Sequence, residues 1–566
     1  MKFILKKKYF KIVILGHILC SLIGSFSFFG SILSNVGSEN RAYAYLGIGT
    51  TLADDVLSRI LCMIISSMLA ILFIYLFWLL CFTLFCSIKE KNWNAYLFLV
   101  VISLGIILIL LFYPNMFGLE TTDDYMNYVY AKEFLPMYWH GFFTNVVYCA
   151  CMLVVPHPVM IPIVQFIFAN CVVFNLFTNV KVSKKYTLAV ACIVGCGSLL
   201  LLPEFIRVFL CPTRNCMYVI LVSGTFSILF VDYIKENQIT EKKFYVLACL
   251  FALTGCWRGE GSIYLISFPF FYWIVYSREQ KMVTLSNIKK ILFYILICVI
   301  FMIPDKYGVA KYQNSDYMIA NTTGPLSAIF HDENANYSYK ECQKDLSNIG
   351  AVIPIEYIEK YGCNGGFYYN VVQGNFVRQS CVSKDVGNAY VKSSFRFMLY
   401  NLPIWIKYQA NMFLDANCIQ GFRFSIDYGK ETLENWNSYE AYERAFELYD
   451  AGEADLQQLE LLYDKSTFAD VLESKISYIL SQVYTCVRPN TAWFKIILII
   501  FTVVSGIISL IKKEYFFVLI AVANLGIWAV VLLMAPWSRP NYYYSVFINM
   551  YLAAVFYFIG KFSVKY

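Results

Sequence analysis

Residues 60–112 read ILCMIISSMLAILFIYLFWLLCFTLFCSIKEKNWNAYLFLVVISLGIILILLF. Two apolar runs, each longer than the roughly 20 residues a helix needs to cross a hydrocarbon core, are joined only by the short polar turn around Lys89, Glu90 and Lys91. Neither run has a polar face, and a helix that is apolar all round has no water-facing side. The same composition extends over the 566 residues, which are 59% hydrophobic and 15% charged with a mean hydropathy of +0.58. Soluble chains carry about 25% charge, so this one lacks the polar surface to coat a water-soluble particle. The reading is an all-α polytopic membrane protein.

Further runs of the same kind give about 12 transmembrane helices: 9–33, 60–88, 93–117, 158–180, 186–203, 216–234, 243–257, 261–276, 288–304, 492–511, 515–535 and 541–561. The first resembles a signal peptide, with Lys6, Lys7 and Lys8 before its apolar core, but lacks a small-residue cleavage site and is read as a retained helix. The piece 141–155 is too short to cross and precedes Pro156-His157-Pro158, so it is read as interfacial or re-entrant. Aromatic residues make up 18% of the chain, a usage suited to membrane–water interfaces.

Basic residues orient the map. With a cytoplasmic N-terminus and strict alternation, one side collects 21 Lys and Arg, in clusters such as Lys6-Lys7-Lys8, Lys89/Lys91, Lys181/Lys184/Lys185, Lys235/Lys242/Lys243, Lys289/Lys290 and Lys512-Lys513. The short segments of the other side hold 7: Arg41, Arg59, Lys132, Arg207, Arg214, Arg258 and Arg539. That bias is the positive-inside pattern, and it places both termini in the cytoplasm. The net charge of +7 is therefore a topology signal, which excludes nucleic acid as the expected partner.

Four regions follow: N-terminal membrane helices 1–92; a membrane core 93–304 containing an external acidic loop 118–157; a large external domain 305–490; and C-terminal membrane helices 491–566. In the domain the composition turns charged and turn-forming, and amphipathic stretches such as 395–414 suit the membrane surface. Of the 19 Cys, most lie in apolar runs as small hydrophobes. Cys342, Cys363, Cys381, Cys418 and Cys486 share the external compartment, which leaves one or two disulfides open.

The spans are almost free of charge away from their ends, which argues against an ion-coupled transporter. Lys495 is read as an end-of-span residue. Charges gather instead at the outer ends: Asp123, Asp124, Glu204, Arg207, Arg214, Arg258, Glu260, Asp305, Lys306 and Arg539. Asp123 and Asp124 follow Thr121-Thr122, where they either complement a helix N-terminus or supply a general base. An adjacent acid pair also suits a divalent cation. Trp257-Arg258-Gly259-Glu260-Gly261 separates two short apolar segments; it reads either as a surface ion pair in a hairpin or as an Arg gripping phosphate. Arg214 opens one span and Arg539, with Asn541, opens the last; each alone also suits snorkelling to headgroups. His157 flanks the acidic loop. There is no His-based triad, nucleophile elbow or phosphate-binding GxxxxGK[ST] loop.

On these features the chain resembles the GT-C-type membrane glycosyltransferases, which include oligosaccharyltransferase catalytic subunits, protein mannosyltransferases and aminoarabinose transferases. The matching residues are the acidic pair Asp123-Asp124, the helix, apolar piece and Pro-His-Pro turn that follow it, and the Arg258-Gly259-Glu260-Gly261 turn. It departs in carrying two extra N-terminal spans and in having its large domain inserted before the last three. The resemblance implies transfer of a hexosyl or pentosyl group from a polyprenyl-phosphate donor to a glycan, lipid or protein acceptor at the outer face of a plasma membrane. Asp123 or Asp124 would be the base, Arg214, Arg258 and Arg539 would hold donor phosphate, and Glu260, Arg207, His157 and Asn541 would support them. Residue usage rich in Lys, Asn, Tyr and Ile points to an AT-rich bacterial genome, and with it the resemblance implies work on a cell-envelope polysaccharide. Competing readings are a polymerase or ligase of lipid-linked glycans, a lipid-linked glycan transporter, and a non-catalytic scaffold.

Overall fold

The computed structural model describes residues 7–28, 56–112, 131, 134, 141–155, 157, 159–209, 214–236, 239–276, 285–306, 311–356, 358, 384–417, 467–535 and 542–563. Among them the regular structure is helical. In chain order the helices are α1 Lys7–Phe28, α2 Val56–Lys89, α3 Trp93–Phe112, α4 Phe142–Val154, α5 Met160–Asn179, α6 Thr187–Leu200, α7 Leu202–Phe209, α8 Arg214–Lys235, α9 Glu241–Trp257, α10 Ser262–Tyr276 and α11 Leu285–Asp305. They continue as α12 Lys311–Phe330, α13 Cys342–Gly350, α14 Lys384–Tyr400, α15 Leu402–Ala416, α16 Thr467–Ile511, α17 Tyr515–Met534 and α18 Tyr544–Phe562.

Eight stretches among the described residues are long and apolar enough to cross a membrane: Arg59–Lys89, Trp93–Leu111, Met160–Asn179, Asn215–Lys235, Asn287–Asp305, Asn490–Ile511, Tyr515–Met534 and Tyr544–Phe562. The β-branched residues that fill them form helix because hydrocarbon offers no other partner for a backbone N–H or C=O. Large side chains such as Leu97, Met68 and Leu104 stand exposed on α2 and α3, as a lipid-facing surface requires and a soluble one forbids. The chain is a membrane protein. Of the remaining expected spans, 9–33 has its apolar core in α1, while α6, α9 and α10 have 14, 17 and 15 residues. At 1.5 Å per residue the last three fall short of the roughly 30 Å core.

The centre of the bundle is aromatic. Phe226 of α8 meets Phe251 of α9 and Tyr264 and Phe271 of α10 at ring distances of 5.2–6.2 Å. On the other side Phe230 packs between Phe516 and Phe556. Helix association in lipid gains little from the hydrophobic effect and relies on close packing, and these rings supply it. Helix α4 is buried along all of its residues. It therefore has no face for headgroups, which overturns the interfacial option and leaves a short helix held inside protein. Its start is fixed by Gly141 at φ +86°, ψ 167°, a conformation open only to glycine. There the Phe142 N–H donates to Asp305 Oδ1 at 3.0 Å.

One end of the bundle gathers the lysine clusters. Lys561 pairs with Glu514, Lys235 Nζ donates to Asn179 Oδ1 at 2.9 Å, and Val182 bridges Ser563. These contacts bring the turns after α5, α8 and α16 and the end of α18 to one face.

At the opposite end α12–α15 enclose a second core of Ile319, Leu326, Ile329, Ile349, Tyr390, Phe397 and Trp405. The stretch 395–414 is broken at Asn401 between α14 and α15, and its apolar side packs in this core and the bundle. α15 ties the unit down. Gln409 Nε2 donates to the Leu533 carbonyl at 3.0 Å, and Phe413 packs on Trp528 and Tyr543. Cys342 is a free, buried thiol, pushed up by desolvation; Cys363, Cys381 and Cys418, and the Cys486 side chain, lie outside the described residues. The boundary drawn at 490 falls inside α16, a continuous helix of 45 residues. A helix that long, about 67 Å, carries its outer half beyond the span Asn490–Ile511.

Candidate functional site

The end of the bundle away from the lysines carries the described part of the expected site. α9 stops at Trp257 because Arg258 adopts extended backbone (φ −144°, ψ 152°), and a 3-10 turn, Gly259–Gly261, leads into α10. Gly261 is required there: a Cβ would collide with the Thr254 carbonyl oxygen. The turn holds Arg258 inward. Its Nε lies 2.6 Å from Glu260 Oε1, with side chains only 8% and 11% exposed. Nη1 donates to Asn215 Oδ1 at the start of α8. The guanidinium carbon stands 5.7 Å from the centroid of the Tyr218 ring.

The hairpin ion pair is thus real but not a surface one. A buried guanidinium over an aromatic face is also not snorkelling to headgroups. Of its five N–H donors, one on Nη1 is used by Asn215, while Glu260 holds the guanidinium by charge. Beneath it the Tyr218 and Tyr264 hydroxyls are buried, with no hydrogen-bond partner among the described residues. Their rings are 6.5 Å apart. Unsatisfied buried hydroxyls are uncommon enough to need a reason, and two of them beside a preset cation suit the chemistry of an oxygen-rich ligand.

Other expected residues fall as follows. Arg214 begins α8, one residue before the Asn215 that Arg258 contacts, so the start of α8 and the 257–261 turn converge; the Arg214 side chain lies outside the described residues. Arg207 is in α7, and its side chain is likewise outside them. Asp123, Asp124, Arg539 and Asn541 lie outside the described residues altogether. α17 packs against the Gly259–Gly261 turn. His157 is half-buried between α4 and α5, where its Nδ1 accepts the Val159 N–H at 3.1 Å. Burial pushes its pKa down. That contact makes it a turn-forming residue. Among the described residues no three His, Cys, Asp or Glu side chains come together as a metal site.

Sequence reasoning missed the partner of Glu204. Lys495 Nζ lies 2.7 Å from Glu204 Oε1, both side chains being nearly inaccessible at 5% and 4%. Lys495 also stands 5.3 Å from the Phe547 ring centroid. It is more than a turn inside the apolar stretch that starts at Asn490, so it is a buried cation within the helix and not an end-of-span one. Only its departure from an otherwise apolar run signalled this. Glu204 reaches it because α6 ends early, and Thr491 Oγ1 donates to the Leu200 carbonyl there at 2.8 Å.

Compared with protein-family models, curated proteins and solved structures, the chain matches none.

Proposed function

We propose that the protein is a GT-C-type glycosyltransferase that moves a sugar from a polyprenyl-phosphate donor to an acceptor outside the cytoplasm. In this reading the chain crosses about twelve times, the lysine-rich end and both termini are cytoplasmic, and 305–490 is an extracytoplasmic domain. The observation that carries it is the inward-held Arg258, set above two unsatisfied tyrosine hydroxyls where the start of α8 meets the 257–261 turn. Arg258 retains donors for a phosphate oxygen, and its two anchors fix its orientation before any ligand arrives, which is how preset charge lowers a barrier. Arg214 and Arg539 complete the clamp on the donor phosphate.

Asp123 or Asp124 takes the proton of an acceptor hydroxyl. The resulting oxygen attacks the anomeric carbon, the bond from that carbon to the phosphate oxygen breaks, and the lipid phosphate leaves with the bonding pair. The sugar is inverted. A lipid-borne donor accounts for chemistry placed where nucleotide sugars are absent.

The test is transfer by the purified protein in liposomes containing a polyprenyl-phosphate-linked sugar. Arg258→Gln, Asp123→Asn and Asp124→Asn are compared with the parent. Loss in Arg258→Gln and in one Asp variant supports the mechanism. Full transfer in both Asp variants removes the base, and substrate movement across the bilayer without a new glycosidic bond assigns the protein to transport.

A further inference from the structure

At the end of α8 and α9 opposite Arg258 lies a cavity of about 470 Å³ between α5, α8 and α9, within the size range of small-ligand sites. Its lining is divided. On one side are Asn179, Thr240, Lys242, Lys243 and Asp232; on the other the wall is apolar, including Ile228 and Val246. Val246 lies one turn along α9 from Lys242, about 6 Å deeper, and is 53% exposed. The cavity therefore opens along the lipid-facing flank of α9 and ends in cations.

The polar side is built. Asp232 is fully buried and is held by Lys243 Nζ at 2.6 Å and by the Tyr276 hydroxyl. That fixes Lys243 against the cavity wall and neutralises the carboxylate. Lys235 is held on Asn179. Lys242 lines the cavity with no ion-pair partner among the described residues. The charged lining is two Lys against one Asp, with exposed Glu236 and Glu241 nearby. Lys242 and Lys243 stand at the first turn of α9 beside Glu241, and Thr240 Oγ1 accepts the Lys243 N–H.

We propose that this cavity binds the phosphate headgroup of an anionic phospholipid, its phosphate oxygens on Lys242 and Lys243 and its glycerol and chains against Val246. The apolar wall is what favours a lipid over soluble phosphate, which offers the same oxygens without chains. This site is at the other end of the bundle from Arg258 and does not depend on sugar transfer.

The experiment uses the full chain in detergent with defined lipids, and native mass spectrometry to read the lipid retained. Phosphatidylglycerol is compared with phosphatidylcholine, with and without excess inorganic phosphate. Lys242→Gln is expected to retain about fivefold less phosphatidylglycerol, the effect of one cation near a headgroup, with phosphatidylcholine unchanged. Val246→Trp, a change at an exposed position that narrows the cavity mouth, is expected to lower retention as well. Equal phosphatidylglycerol retention in the parent and both variants overturns the site. Displacement by inorganic phosphate, with Val246→Trp behaving as the parent, overturns the lipid assignment in favour of a soluble phosphate.

Discussion

Removing one partner of the Glu204–Lys495 pair tests how the bundle tolerates charge at depth. The two charges meet at 2.7 Å and are 3–4% exposed as residues. At an effective dielectric of about 20 the attraction at that distance is about 6 kcal/mol, set against desolvation of several kcal/mol for each ion. The pair as a unit is therefore close to neutral, while either charge alone is strongly unfavourable. Lys495→Met leaves Glu204 buried without its partner, and Glu204→Met leaves Lys495, among the described residues, against the Phe547 ring. Each single variant is expected to lose about 3–5 kcal/mol. The double variant, with two flexible apolar side chains of similar length, is expected within about 1 kcal/mol of the parent or above it. Equilibrium unfolding in detergent measures all four corners of the cycle. Losses under about 1 kcal/mol in both singles, with no coupling between them, would refute the assignment of a buried ion pair.

Further outcomes follow from the same geometry. Arg258→Lys keeps the charge but cannot meet Glu260 and Asn215 together, so transfer in liposomes is expected to fall about 10- to 100-fold, with binding of the donor weakened. Gly141→Ala forces a side chain into a glycine-only conformation beside Asp305 and is expected to cost about 1–3 kcal/mol of unfolding free energy. Burial lowers the folded-state pKa of His157, so the unfolded chain takes up the proton first. Stability from this group is present above its ordinary pKa of 6.5 and is lost as pH falls below it toward the folded value. His157→Asn, whose amide oxygen can still accept from Val159, should flatten the decline in thermal midpoint between neutral and mildly acidic pH; an unchanged slope removes His157 as its source.

How much was legible can be followed residue by residue. The 257–261 turn was visible because two glycines and two charges interrupt apolar sequence, and it became a turn between helices holding an Arg–Glu pair. That the pair is buried was not visible, because burial of Arg258 depends on Tyr218 and Asn215, some 40 residues away on α8. Segment 141–155 was recognisably too short to span. The burial of its helix α4 along Phe142–Val154 needed α2, α1 and α5 around it. The break at Asn401 lay hidden in one amphipathic period.

Membrane residence was determined by the sequence alone, since transfer to hydrocarbon is nearly additive along the chain and each span of 20 apolar residues declares itself. So was the grouping of lysines at one end, because charge near a span end is a local property. The tertiary structure alone decided which polar groups are buried and with whom. Glu204 and Lys495 are 291 residues apart, and a buried charge is tolerable only where its partner meets it within hydrogen-bond distance. That pairing is set by where α6 stops and how α16, which carries Lys495, packs against α6 and α18, which no local pattern encodes.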